Sequence, residues 1–179
     1  MKLWETARAR LFAMKSVPPA AFGNVDKPGI YAWWDARGAL TPFWPQGFPP
    51  VDVSAPIYVG IAKQSLAERG VKIHLGSTRV STVRRSLAAL LEDELDLLPG
   101  ATVKGGHLSL ARPEEQRLTA WMHEHLTVTW FERPSPGDVE VELVGAVLPP
   151  LNSDFAHHGP YWRPMDVLKT AMRRSARQL

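Results

Sequence analysis

The sequence predicts an α+β fold built around a small sheet. Three observations carry that prediction. Two short runs, "IYAWW" and "PIYVGI", have the β-branched and aromatic content of strands and are bounded by Pro and Gly. A third run, "TVTWFER", alternates as a strand does. Between and after these lie stretches with helical spacing, the clearest being "STVRRSLAALLEDELDLL".

Taken in order, "MKLWETARARLFAMK" is an amphipathic start that carries charge before any apolar stretch, unlike a secretory signal. The strand "IYAWW" leads into "DARGALTPFWPQGFPPVDVSA", whose Pro, Gly and large aromatics suit a long ordered loop. The strand "PIYVGI" precedes "QSLAERGVKIHL", a helix capped by Ser65 and weakened at Gly70. In the next helix Ser81 or Thr82 is the cap. Val83, Leu87, Leu90 and Leu91 share a face, and Pro99 and Gly100 mark the end.

"ATVKGGHLSLA" is ambiguous. "RPEEQRLTAWMHEHL" is a helix with Pro113 in its first turn. After the third strand, "SPGDVEVELVGAVLPPLN" reads as a capped helix stopped by Pro149 and Pro150. The tail from Pro164 forms a last helix with a basic end, which its dipole favours.

A chain of 179 residues suits one domain, here 1–179. The absence of cysteine excludes disulfide scaffolds, thiolate metal sites and cysteine nucleophiles. No apolar run is long enough to cross a bilayer, so no membrane partner and a cytoplasmic location are expected. The net charge of +3 is modest, but its distribution is uneven. Basic residues gather at Lys63, Arg69, Lys72, Arg79, Arg84 and Arg85, and again at Lys169, Arg173, Arg174 and Arg177. A polyanion could use these clusters; each alone also suits a solvated helix face.

Two tyrosines on adjacent strands put both hydroxyls on one side of the sheet if the strands pair in register. Arg69 follows on the next helix. Glu140 shares a helical stripe with Leu143, Val144 and Val147, and an acid on a buried stripe calls for a cation or donors. A divalent metal is one such answer.

Gly29-Ile30-Tyr31, Tyr58-Val59-Gly60, Arg69, His74, Glu140 with Leu143-Val144, and Pro149-Pro150-Leu151-Asn152 occur in one order. That ordered set resembles the GIY-YIG nuclease superfamily. The resemblance implies a small, mainly antiparallel three-stranded sheet flanked by helices. Relative to that pattern the chain carries a long aromatic and Pro-rich insertion between the first two strands, an extra helical insertion, and helical extensions at both termini. It also implies a metal-dependent endonuclease that hydrolyses phosphodiester bonds in nucleic acid, DNA before RNA, with Mg²⁺ or Mn²⁺. The alternative is an inactive nucleic-acid-binding module of the same fold. Oligomeric state is left open.

Carried over by position, the resemblance gives Tyr31 as general base and Tyr58 as a hydrogen-bond donor to the water or the scissile phosphate. It gives Arg69 as the phosphate clamp, Glu140 as metal ligand and Asn152 as a brace. His74 is divided between a catalytic or phosphate-contacting role and that of a helix-end histidine. It stands five residues after Arg69 where the family histidine often stands four on, and Gly70 could mark an irregular turn that restores its direction. Glu142 competes with Glu140, and spacing favours Glu140. Lys63, Lys72, Arg79, Arg84 and Arg85 are candidate nucleic-acid contacts. A tyrosine base has an ordinary pKa near ~10, so it calls for a neighbouring cation such as Lys63, Arg69 or the metal.

Overall fold

A computed structural model describes residues 2–100 and 108–175. Part of the ambiguous stretch, 101–107, and Arg177 of the second basic cluster lie outside the described residues. Three strands, β1 (Gly29–Trp34), β2 (Tyr58–Ala62) and β3 (Thr127–Glu132), form an antiparallel sheet in the order β2-β1-β3. Their register puts Tyr31 opposite Gly60 and Trp33 opposite Tyr58.

Partners across an antiparallel pair share a face, so Tyr31, Trp33 and Tyr58 point the same way. That face packs on the segment after β2 and on α3 (Thr82–Leu90), with α4 (Arg112–His125) and α6 (Trp162–Ser175) beyond. The opposite face, with Ile30, Ala32, Trp34, Val59 and Ile61, is covered by α1 (Leu3–Ala13) and α5 (Gly137–Val147). Both faces being buried explains why β1 and β2 lack an apolar–polar alternation.

Each outer edge of the sheet is partnered over part of its length. Val17 exchanges both backbone hydrogen bonds with Val128 of β3, at 3.0 and 2.8 Å. Beside β2, the Leu151 N–H donates to the Ile57 carbonyl at 3.0 Å. The Asn152 amide completes that edge: its Oδ1 accepts from Val59 N–H at 3.0 Å and its Nδ2 donates to Val59 C=O at 2.8 Å.

The long loop is ordered by its aromatics. Trp44 stacks on Phe48 and Phe48 on Tyr161, whose hydroxyl donates to the Pro50 carbonyl. Asp35 accepts the N–H groups of Ala39 and Leu40 and closes the first turn.

Three sequence expectations change. The helix expected to reach Leu98 ends at Leu90, and Asp96 takes a left-handed conformation. Glu92, Asp93, Glu94 and Asp96 would place four carboxylates at the negative end of the helix dipole, and the chain turns instead. α5 has no side-chain cap; it starts at Gly137 after Pro136, with Asp138 and Glu140 in the favourable first turn. The helix after β2 opens with a π segment (Ala67–Lys72) and closes in α form as α2 (Ile73–Gly76). Ser65 does cap it, accepting from Glu68 N–H.

Candidate active site

Tyr31 is held by what surrounds it. A Cβ on Gly60, its cross-strand partner, would lie 2.5 Å from the Tyr31 hydroxyl, so the ring takes the space a side chain there would fill. A Cβ on Gly29 would lie 2.3 Å from the Phe131 carbonyl, so the start of β1 tolerates only glycine. These two clashes are the steric reason both tripeptides contain glycine.

The π segment answers the spacing question at His74. Its wider turn, bonding i to i+5, accommodates one more residue than an α-turn. His74 therefore faces the tyrosines although it lies five residues after Arg69. Its Nε2 is 2.7 Å from the Tyr31 hydroxyl, and its Nδ1 is 2.7 Å from Ser81 Oγ. Ser81 also caps α3 by accepting Arg84 N–H. The Gly70 carbonyl accepts the Trp33 indole N–H at 3.1 Å.

His74 is fully buried, so it cannot touch a phosphate. Burial, then the charges of Arg69, Arg84 and Arg85, hold its pKa down to about 3. It is neutral at pH 7, with one ring nitrogen donating and the other accepting. The unfolded chain, with a histidine pKa near ~6.5, binds this proton more readily than the fold does. The contribution is complete above that pH and is lost as pH falls. Between pH 6.5 and 4 the native protein should lose about 3 kcal/mol more than His74→Gln, at about 1.4 kcal/mol per pH unit. Urea midpoints of both proteins at several pH values check this, and parallel losses would refute it.

Burial likewise pushes the Tyr31 phenol well above its ordinary value, with Tyr58 adding to the rise and Arg69 opposing it. Tyr58 is raised by burial first, against the pull of Arg69. The expectation that a nearby cation would hold a phenolate is therefore corrected. Without substrate both groups are phenols, because desolvation outweighs the guanidinium.

Beside them lies an open cleft of about 550 Å³. Arg69, Lys63 and Glu140 line it, with Glu68, Ile61 and Ile73. Neither Arg69 nor Glu140 forms an ion pair among the described residues. Burial raises the Glu140 pKa, opposed by Lys63 and Arg69. Glu142, two residues on, is exposed and does not line the cleft. Tyr31 and Tyr58, 1% and 7% exposed, lie behind the cleft rather than on its wall. Asn152 fixes the backbone between Tyr58 and Gly60.

The candidate contacts divide. Lys63, Lys72 and Arg79 are exposed, Lys72 pairing with Glu68. Arg85 is half-buried in a second hollow. Arg84 is a correction: it is fully buried and ion-paired with Glu115 at 2.5 Å, so no nucleic acid reaches it. Sequence reasoning missed Ser81 as a partner of His74, and Asp154, whose charge bears on both Tyr58 and Glu140. Nothing local marks either; both depend on long-range packing.

Among the described residues no group of three or more His, Cys, Asp or Glu could hold a metal. Any ion would rest on Glu140 with waters and substrate oxygens. A half-buried carboxylate with no ion pair fits that arrangement, since Mg²⁺ keeps several waters and needs few protein ligands. No curated protein and no solved structure matches the chain significantly. A family model described as the GIY-YIG catalytic domain matches residues 29–160, from the first residue of β1 past Asn152. With that match over most of its length, the chain belongs to the GIY-YIG catalytic domain family, whose members are generally endonucleases that use divalent metals.

Proposed function

We propose that this protein is a metal-dependent endonuclease hydrolysing phosphodiester bonds in DNA, using Mg²⁺ or Mn²⁺. One observation carries the reading: Arg69, Lys63 and a Glu140 with no ion pair among the described residues share a cleft beside a tyrosine hydrogen-bonded to a neutral histidine.

The chemistry follows from those groups. Arg69 offers a planar fork that binds phosphate oxygens through two charge-assisted hydrogen bonds. For Tyr31 to act, water entering from the cleft must reach its buried hydroxyl, whose O–H donates to His74 Nε2 while its oxygen accepts the water's proton. In that tautomer His74 Nδ1–H donates to Ser81 Oγ, which fixes the ring. A phosphate on Arg69 would offset one of the charges that depress His74, while burial, the larger cause, persists. Tyr58 donates to the water or phosphate. Glu140 would hold a divalent ion, which would supply charge neutralisation at the phosphate and the departing oxygen.

The near-complete burial of Tyr31 favours a second reading, a binding module that no longer cuts. Supercoiled plasmid and single-stranded DNA incubated with Mg²⁺ or Mn²⁺, against EDTA, separate the two. Nicking that needs the metal supports the enzyme; binding without nicking supports the module. Tyr31→Phe removes only the hydroxyl and should slow cutting about 10²–10⁴-fold. Unchanged turnover in that variant eliminates Tyr31 from proton transfer.

A further inference from the structure

Two basic clusters far apart in sequence meet in space. Arg85 on α3 and Lys169 and Arg173 on α6 line a hollow of about 190 Å³, with Ser153, Asp166 and Leu108. Among the described residues that line it, three are cations and one is a carboxylate, and the charge of Asp154 also reaches Arg85 and Lys169. Asp166 reaches Arg173 only loosely, at 3.9 Å. Lys169 is held in place by donating to Ser153 Oγ at 2.7 Å. The Arg85 guanidinium is fixed by donating to the Arg79 carbonyl and to Thr82 Oγ1, both at 3.0 Å.

Holding three like charges in a half-buried hollow is unfavourable unless an anion shares it. Burial lowers the Lys169 pKa, with Asp166 opposing and Arg85 and Arg173 adding to the fall. The fixed side chains offer guanidinium and ammonium donors at once, which suits a phosphate. The hollow adjoins the site's framework: Ser153, on its wall, directly follows Asn152, whose amide binds Val59 beside Tyr58. Lys169 and Arg173 lie beyond residue 160, where the family match ends, while Arg85 and Ser153 lie within it.

We propose that the hollow formed by Arg85, Lys169, Arg173 and Ser153 binds an internal backbone phosphate of the DNA strand, at a position other than the one cut. The proposal rests on the nuclease reading. It gives α6 the task of setting where along the strand the cleft engages.

The test is fluorescence anisotropy with labelled single-stranded DNA in EDTA across a salt series, so that no cutting intervenes. Lys169→Gln with Arg173→Gln should weaken binding about tenfold and make the salt dependence shallower by about 0.7, the value for one lost phosphate contact on a single strand. Arg174→Gln, exposed on the same helix and outside the hollow, should leave the slope nearly unchanged. Should the double variant not fold, Arg173→Glu alone should weaken binding and flatten the slope in the same direction. Strands with and without a 5′-phosphate should lose affinity equally; a loss confined to the 5′-phosphorylated strand overturns the internal assignment. Unchanged affinity and slope, with native protein that binds and cuts, overturn the hollow and leave the nuclease reading standing. Native protein that neither binds nor cuts DNA removes both.

Discussion

Glu140→Gln should abolish metal-dependent cutting while leaving the fold and DNA binding intact. The substitution keeps size and shape and removes the one carboxylate in the cleft that can neutralise a divalent ion without breaking an ion pair of its own. Metal assistance contributes several kcal/mol at the transition state, and about 1.4 kcal/mol is tenfold in rate, so turnover should fall about 10³-fold or more. Stability should hold or rise. Burial raises the folded pKa of Glu140, so the ionised group opposes folding at neutral pH and relieves that penalty only when protonated. A site that costs stability is expected where function requires the charge. Plasmid nicking against Mg²⁺ concentration measures the first effect and thermal melting the second. Glu142→Gln is the control: if it kills cutting and Glu140→Gln does not, the metal rests on the wrong residue here.

The largest stability effect should come from Arg84→Ala. The Arg84 side chain donates to the carbonyls of His74 and Leu75 at 3.2 and 3.0 Å and to Thr119 Oγ1 at 3.0 Å. It also donates to the carbonyl and carboxylate of Glu115 at 3.0 and 2.5 Å. One guanidinium thereby ties the end of α2 to α3 and α4. Truncation takes the cation from Glu115, which keeps only its Thr78 donors, and breaking a buried pair costs about 3–5 kcal/mol. For a chain of this size the melting temperature should fall by about 6–20 °C. Arg84→Lys should recover little, because a single ammonium cannot span three elements. Urea denaturation checks both variants; a loss under about 1 kcal/mol would show that the network is dispensable. Residual activity in Arg84→Ala should also drop, since the backbone it grips carries His74.

The contrast between Arg84 and Arg85 shows what the sequence can disclose. Both stand in "STVRRS" and look alike as charges. Yet Arg84 lies three, four and seven residues before Leu87, Ala88 and Leu91, on the buried stripe, and that spacing was a legible warning. The three strands were readable because aromatic and β-branched side chains crowd both faces of the sheet. The overlong helix was misread because "LEDELDLL" keeps a helical apolar period while its acids oppose the dipole. At the site, the order of the residues named the family and the candidates in the cleft. What it concealed was direction: that Tyr31 points away from solvent, that His74 stands behind it, and that Ser81 stands behind His74. Each depends on a π turn and on contacts across tens of residues, which no local pattern encodes.

The guarded margins of the sheet bear on how the protein behaves in a crowded solution. A terminal strand normally offers free amides on which a second chain can template itself and begin a fibre. Here a side-chain amide from Asn152 stands in for a fourth strand on one border, and Val17 does the same on the other. Self-templated polymerisation therefore finds no exposed rung at these positions.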